Sequence, residues 1–172
     1  VKKKYSEVIR EIIKIADKSG IDNTVEGKNL IEELNGFVIK IPLIGSFNAG
    51  KSSLLNRYLG VNYLPVDIIP ETAIASELKF GYEEHIIAHN SKGTKVFALE
   101  DIKTINSVDY DYLEVFINSE SIKPLQDIVL VDMPGIDSKF EHHNKSILNY
   151  IKEGVEFLVL NDIENGGLKE SV

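Results

Sequence analysis

The chain has 172 residues, 43% of them hydrophobic and 27% charged, which is ordinary for one soluble domain with a real core. A net charge of −8 argues against a non-specific nucleic-acid binder, which needs a basic face, yet leaves room for a local phosphate site built from backbone N–H groups and one Lys. The absence of Cys excludes disulfides and thiolate metal sites and points to a reducing cytoplasm; no apolar run reaches transmembrane length, and none reads as a signal peptide.

Residues 3–19 carry Tyr5, Val8, Ile9, Ile12 and Ala16 at helical spacing, with Ile13 and Ile15 widening the face and Gly20 as a stop. Lys2, Lys3 and Lys4 read as a solvated helix end. A second, short helix is predicted over 27–35, with Leu30, Ile31 and Leu34 inward. "FVIKIPLI" at 37–44 reads as a buried strand, in which Pro42 belongs near the end. After a Gly-bearing loop, residues 52–59 read as a helix stopped by Gly60. A loop with Pro65 and Pro70 comes next, then strand-like runs at 74–81, 85–89 and 95–99. A short helix at 100–106 precedes an alternating strand at 112–117. "DIVLVDMPG" at 127–135 is an apolar run ending in a turn; a helix is expected over 141–153 and a last buried strand over 155–160. Continuous apolar strands separated by helices imply a mainly parallel sheet covered on both faces. The alternating strands between 74 and 117 are expected to be antiparallel and to extend one edge.

The loop between the first strand and the helix is "GSFNAGKSS", and it fits G-x-x-x-x-G-K-[ST] through Gly45, Gly50, Lys51 and Ser52. Glycines let the chain wrap tightly, so that successive N–H groups, from Ser46 through Ala49 to Ser53, converge on an anion. The helix that begins near Lys51 adds its positive end. In such a loop Lys51 reaches the β- and γ-phosphates and the Ser52 hydroxyl ligates Mg²⁺. Asp132-Met133-Pro134-Gly135 closes an apolar strand, which places a carboxylate at the ligand-binding edge of a parallel sheet. Asp132 is expected to hold Mg²⁺ through water, and the Gly135 N–H to meet a γ-phosphate. Between these motifs lies Thr72, just ahead of a strand, where a switch threonine would ligate Mg²⁺ only in the triphosphate state.

"PLIGSFNAGKSSLLNRYLG", "LPVDIIPETAIASEL" and "LVDMPGID" together resemble the first three GTPase motifs of the dynamin superfamily, especially its bacterial dynamin-like members. The pattern G-x-F-x-A-G-K-S-S-L-[IL]-N is more specific than a bare phosphate loop. The resemblance divides the chain into an N-terminal helical segment over 1–36 and a P-loop GTPase domain over 37–172. It implies weak GTP binding, dimerisation across the nucleotide face, and hydrolysis to GDP and phosphate that quickens on assembly. It also implies tethering or bending of membranes from a cytoplasmic position at the inner face of the cell membrane. Lys51, Ser52, Thr72, Asp132 and Gly135 keep their roles under it, and Ser53 would approach the α-phosphate. Asn48 occupies a position where related enzymes support a monovalent cation. Its side-chain carbonyl would coordinate K⁺ or Na⁺ beside the phosphates, offsetting charge as an arginine finger does elsewhere. The alternative, in which Asn48 hydrogen-bonds its own loop, weighs equally. The two arginines, Arg10 and Arg57, lie outside the predicted switch loops. His142 and His143 are assigned no catalytic role.

No N-K-x-D or T-K-x-D occurs, so the motif that reads guanine is missing. A complete domain of this type would need further strands and helices after Val172, and the membrane-binding part of the family is absent as well. The expectation is a piece of a longer protein, with guanine specificity and any membrane contact resting on the resemblance. A competing reading from another class is a P-loop switch with little turnover that recruits a partner protein. Stimulation by self-assembly separates the two.

Overall fold

The computed structural model describes residues 2–22, 24–66, 74–125, 127–136, 147–148, 150, 152 and 156–161. The chain divides into two compact units, residues 1–38 and 39–172.

The first unit pairs two helices, α1 (Lys2–Lys18) and α2 (Thr24–Gly36). The seam on α1 runs through Ser6, Ile9, Ile13 and Ala16, spaced three and four residues apart. It packs where α2 offers Gly27, whose missing side chain matters: a Cβ there would come within 2.3 Å of Ile13 Cδ1. Two expectations change. The apolar stripe of α1 is wider than its seam, so Tyr5, Val8, Ile12 and Ile15 stay exposed. On α2, Ile31 and Leu34 are half-buried as expected, but Leu30 faces outward. Two short helices cover too little surface to bury every apolar group they carry.

The second unit is a seven-stranded sheet in the order β4-β3-β5-β2-β6-β1-β7. Its strands are β1 (Ile39–Ile44), β2 (Ala75–Phe80), β3 (His85–Asn90), β4 (Gly93–Phe97), β5 (Tyr112–Ile117), β6 (Ile128–Asp132) and β7 (Leu158–Val159). Helix α3 (Lys51–Leu59) comes after β1, and a 3₁₀ helix (Leu99–Thr104) after β4. β1 lies parallel to both β6 and β7, while β3 is antiparallel to β4 and β5. β2 differs from the antiparallel expectation on one side: it is antiparallel to β6 but parallel to β5. Alternation in a strand reports which face a residue takes and is silent on the direction of its neighbour.

Pro42 sits inside β1 without a lost bond, for a reason visible in the ladder. The Ile39 N–H donates to Asp127 O on the β6 side, and Ile44 O accepts from Leu160 N at 2.7 Å on the β7 side. Alternation therefore turns the position without an N–H toward β7, whose pairing begins only opposite Leu43.

One face of the sheet holds the larger core. Leu43, Leu78, Ile86, Leu113 and Val115 pack with Leu55 and Leu59 of α3 and Ile102 of the 3₁₀ helix. The other face packs Ala75, Val129, Val131 and Met133 against Ile147 and Tyr150. The described positions of the helix expected over 141–153, residues 147, 148, 150 and 152, are helical, and the rest lie outside the described residues. Glu77 is buried on this second face and accepts from Tyr150 OH at 2.7 Å. Lys40 at 2.7 Å and Lys79 at 3.3 Å neutralise it, which removes the large cost of an unpaired buried carboxylate.

Candidate functional site

β1 delivers the chain to the phosphate loop at Ile44, and two glycines shape that loop. A Cβ on Gly45 would stand 2.5 Å from Leu160 O and 3.0 Å from Ala49 Cβ, so only glycine fits. Gly50 has φ +82°, in the left-handed region, and caps the start of α3. The Ala49 N–H closes the loop on Ser46 O at 3.2 Å. Lys51 crosses this loop from the first turn of α3. Its ammonium donates to Gly45 O at 3.1 Å and Ser46 O at 2.7 Å, and the residue is buried.

On the opposite wall, β6 ends at Asp132, whose register partner on β1 is Leu43. The Ser52 hydroxyl donates to Asp132 Oδ2 at 2.6 Å. The other oxygen, Oδ1, is shielded from solvent and has no hydrogen-bond partner among the described residues. Burial pushes the Asp132 carboxyl up to about 6, against the lowering pull of the Ser52 hydrogen bond and the Lys51 charge. Beyond β6 the Ile136 N–H donates to Gly45 O at 3.2 Å, which draws buried Gly135 and its turn up to the phosphate loop. A cleft lined by Phe47, Lys51, Ser52, Ser76, Asp132 and Gly135 results.

The fold thus brings Gly45, Ser46, Gly50, Lys51, Ser52, Asp132 and Gly135 together. Ala49 is half-buried in the loop, and Ser53 is exposed on α3. Asn48 is exposed on the loop. Thr72, His142 and His143 lie outside the described residues. A hydroxyl beside a carboxylate with one unpartnered oxygen is an all-oxygen donor set, the kind a hard divalent cation such as Mg²⁺ prefers. A half-empty carboxylate next to a lysine-crossed loop, at the end of parallel strands, is the layout in which α/β folds of the P-loop kind place phosphate and metal ligands.

A family model described as the dynamin family matches residues 41–167. The chain belongs to the dynamin family. This dynamin-family chain is 24% identical over 161 residues to an uncharacterised protein in the xynA 3′ region of Caldicellulosiruptor sp., covering 86% of this chain and 38% of that one. It is 28% identical over 143 residues to a bacterial dynamin-like protein of Nostoc punctiforme, covering 83% of this chain and 19% of the relative. The chain therefore spans well under half the length of these curated relatives. Its fold matches a solved bacterial dynamin, described as an oligomerised pair for long-range sensing and tethering of membranes. The TM-score is 0.62 at 21% identity, over 92% of this chain and 32% of that one.

Two residues of this dynamin-family site are assigned no role by the motif reading. Asn56 is buried in α3, and its amide clamps the loop beyond the helix: Nδ2 donates to Leu64 O at 2.6 Å, and Leu64 N–H donates to Oδ1 at 2.8 Å. That pair fixes the chain just ahead of Pro65 and Val66, which line the cleft. In the sequence Asn56 closes the G-x-F-x-A-G-K-S-S-L-[IL]-N pattern, which marks the position but not its partner at Leu64. Ser76 is the second, a buried hydroxyl in the core-facing row of β2 beside Leu78.

Proposed function

We propose that this chain is the phosphate-gripping part of a GTPase that hydrolyses GTP to GDP and phosphate, assembles with itself across the nucleotide face, and tethers or remodels membranes. The observation that carries the reading is the prefolded loop crossed by Lys51 and joined to Asp132 through Ser52. Lys51 exchanges its two loop carbonyls for β- and γ-phosphate oxygens when the nucleotide enters. N–H groups from Ser46 to Ser53, at the positive end of α3, hold the remaining phosphate oxygens. Ser52 can offer a lone pair to Mg²⁺ while its O–H still donates to Asp132, and Asp132 reaches the same ion through water. Bound Mg²⁺ supplies charge neutralisation across the phosphates. Thr72 closes on the triphosphate state, and the Gly135 N–H senses the γ-phosphate. The side chain of Asn48, exposed on the loop, is available to a K⁺ or Na⁺ ion beside the phosphates. Self-assembly and membrane tethering draw support from the solved bacterial dynamin pair, and on this reading the site of action is the inner face of the cell membrane.

The test is GTP turnover per molecule against protein concentration in the natural full-length protein. A per-molecule rate that climbs with concentration is expected. A flat rate near zero would replace the mechanoenzyme with a nucleotide-gated switch that recruits a partner.

A further inference from the structure

The free oxygen of Asp132 needs a donor, and the sheet register supplies one candidate. Ser76 on β2 is the direct cross-strand partner of Asp132 on antiparallel β6. Directly opposed residues share a face, with Cβ atoms roughly 4.5–5.5 Å apart, so a hydroxyl reaches the carboxylate directly or through one water. Both residues line the same cleft. Ser76 is only 5% exposed, and its position among Leu78, Leu113 and Ile102 is one where an apolar side chain would otherwise pack. Burying a hydroxyl there costs free energy unless it bonds. The bond it makes is a local one, to Ile74 O two residues back, at 3.2 Å. That length is at the far end of hydroxyl hydrogen bonds, and one rotation about χ1 trades it for another acceptor. The other cation of the site, Lys51, is engaged by Gly45 and Ser46.

We propose that Ser76 is a positioning residue for the metal of this site: its hydroxyl holds Oδ1 of Asp132, directly or through one water, while Ser52 holds Oδ2. Clamped at both oxygens, the carboxylate keeps one orientation toward Mg²⁺. The inference rests on the proposed phosphate site. Partners that orient a metal ligand from behind commonly carry 10–100-fold in metal affinity, roughly, when removed.

The experiment titrates Mg²⁺ against binding of a fluorescent GTP analogue, in the natural full-length protein and its Ser76→Ala and Ser76→Thr variants. Ser76→Ala is expected to raise the half-saturating Mg²⁺ concentration about tenfold or more, with metal-free nucleotide affinity unchanged. Ser76→Thr, which keeps the hydroxyl, is expected to restore the wild-type curve. Wild-type Mg²⁺ dependence in Ser76→Ala overturns the proposal, and so does an equal loss with and without metal, which marks a merely structural serine. If the unmodified protein binds the analogue with no response to Mg²⁺, the reading of the site itself falls, a result distinct from the first two.

Discussion

The two walls of the phosphate cleft handle charge in opposite ways. The loop wall is complete before any nucleotide arrives: the Lys51 ammonium is satisfied by two carbonyls, and Gly45 and Gly50 hold the turn without strain. The strand wall is incomplete: Asp132 has one oxygen bonded and one buried without a partner among the described residues, and its carboxyl titrates far above its ordinary value. A preformed cationic loop lowers the ordering cost of binding. An undersatisfied carboxylate stores an unfavourable term that a divalent cation removes. On the proposed reading, affinity is built into one wall and metal dependence into the other.

The largest expected effect strikes the loop wall. Lys51→Ala removes a charge-assisted hydrogen bond of about 3 kcal/mol and lowers triphosphate affinity roughly 100-fold, read by titration calorimetry. Unchanged affinity would erase the contrast, because the loop would then bind nothing. Thr72→Ala tests whether a third element completes the strand wall only in the triphosphate state. Turnover is expected to fall roughly 100-fold while GDP affinity holds. Asn56→Ala strips two buried hydrogen bonds from Leu64 and should cost about 2–4 kcal/mol in denaturant unfolding, with the midpoint shifted and the slope unchanged.

The strand wall gives a pH signature of its own. The folded carboxyl of Asp132 titrates near 6, above the roughly 3.9 of an unfolded Asp, so the folded state binds this proton more tightly. Without Mg²⁺, its contribution to stability is present in full below about pH 4 and is lost as pH rises to about 6, a change on the order of 1–3 kcal/mol. Unfolding scans across that window should show the loss, and Asp132→Asn should flatten it. A flat wild-type profile would mean that the carboxylate is already compensated. The smallest effect concerns Asn48. Replacing K⁺ with a large organic cation should slow turnover a few-fold, and equal rates in both salts would leave the loop wall without a monovalent ion.

Much of the loop wall was legible because it is local: one glycine-bearing run between a strand and a helix carries its own chemistry. Asp132 was legible for the same reason, as the last residue of an apolar strand. What escaped depends on pairing between distant segments. The run at 74–81 is expected to be antiparallel, but nothing in "TAIASEL" names β6 as its neighbour or sets the register that puts Ser76 against Asp132. The Asn56 clamp likewise needs the return of the loop to Leu64. In the helical unit, periodicity identified both helices but misplaced Leu30, because a broad apolar stripe does not say which of its edges meets a neighbour.

Gly45 lies close against Leu160, a residue of the last strand segment, whose N–H also bonds Ile44. Synthesis runs from N- to C-terminus, so residues 45–52 emerge before their far support has been made. The phosphate grip can be finished only when residue 160 has left the exit tunnel and β7 has docked beside β1. Until then a nascent chain carries the motif without its seat, so the proposed nucleotide binding would report whether β7 has docked beside β1.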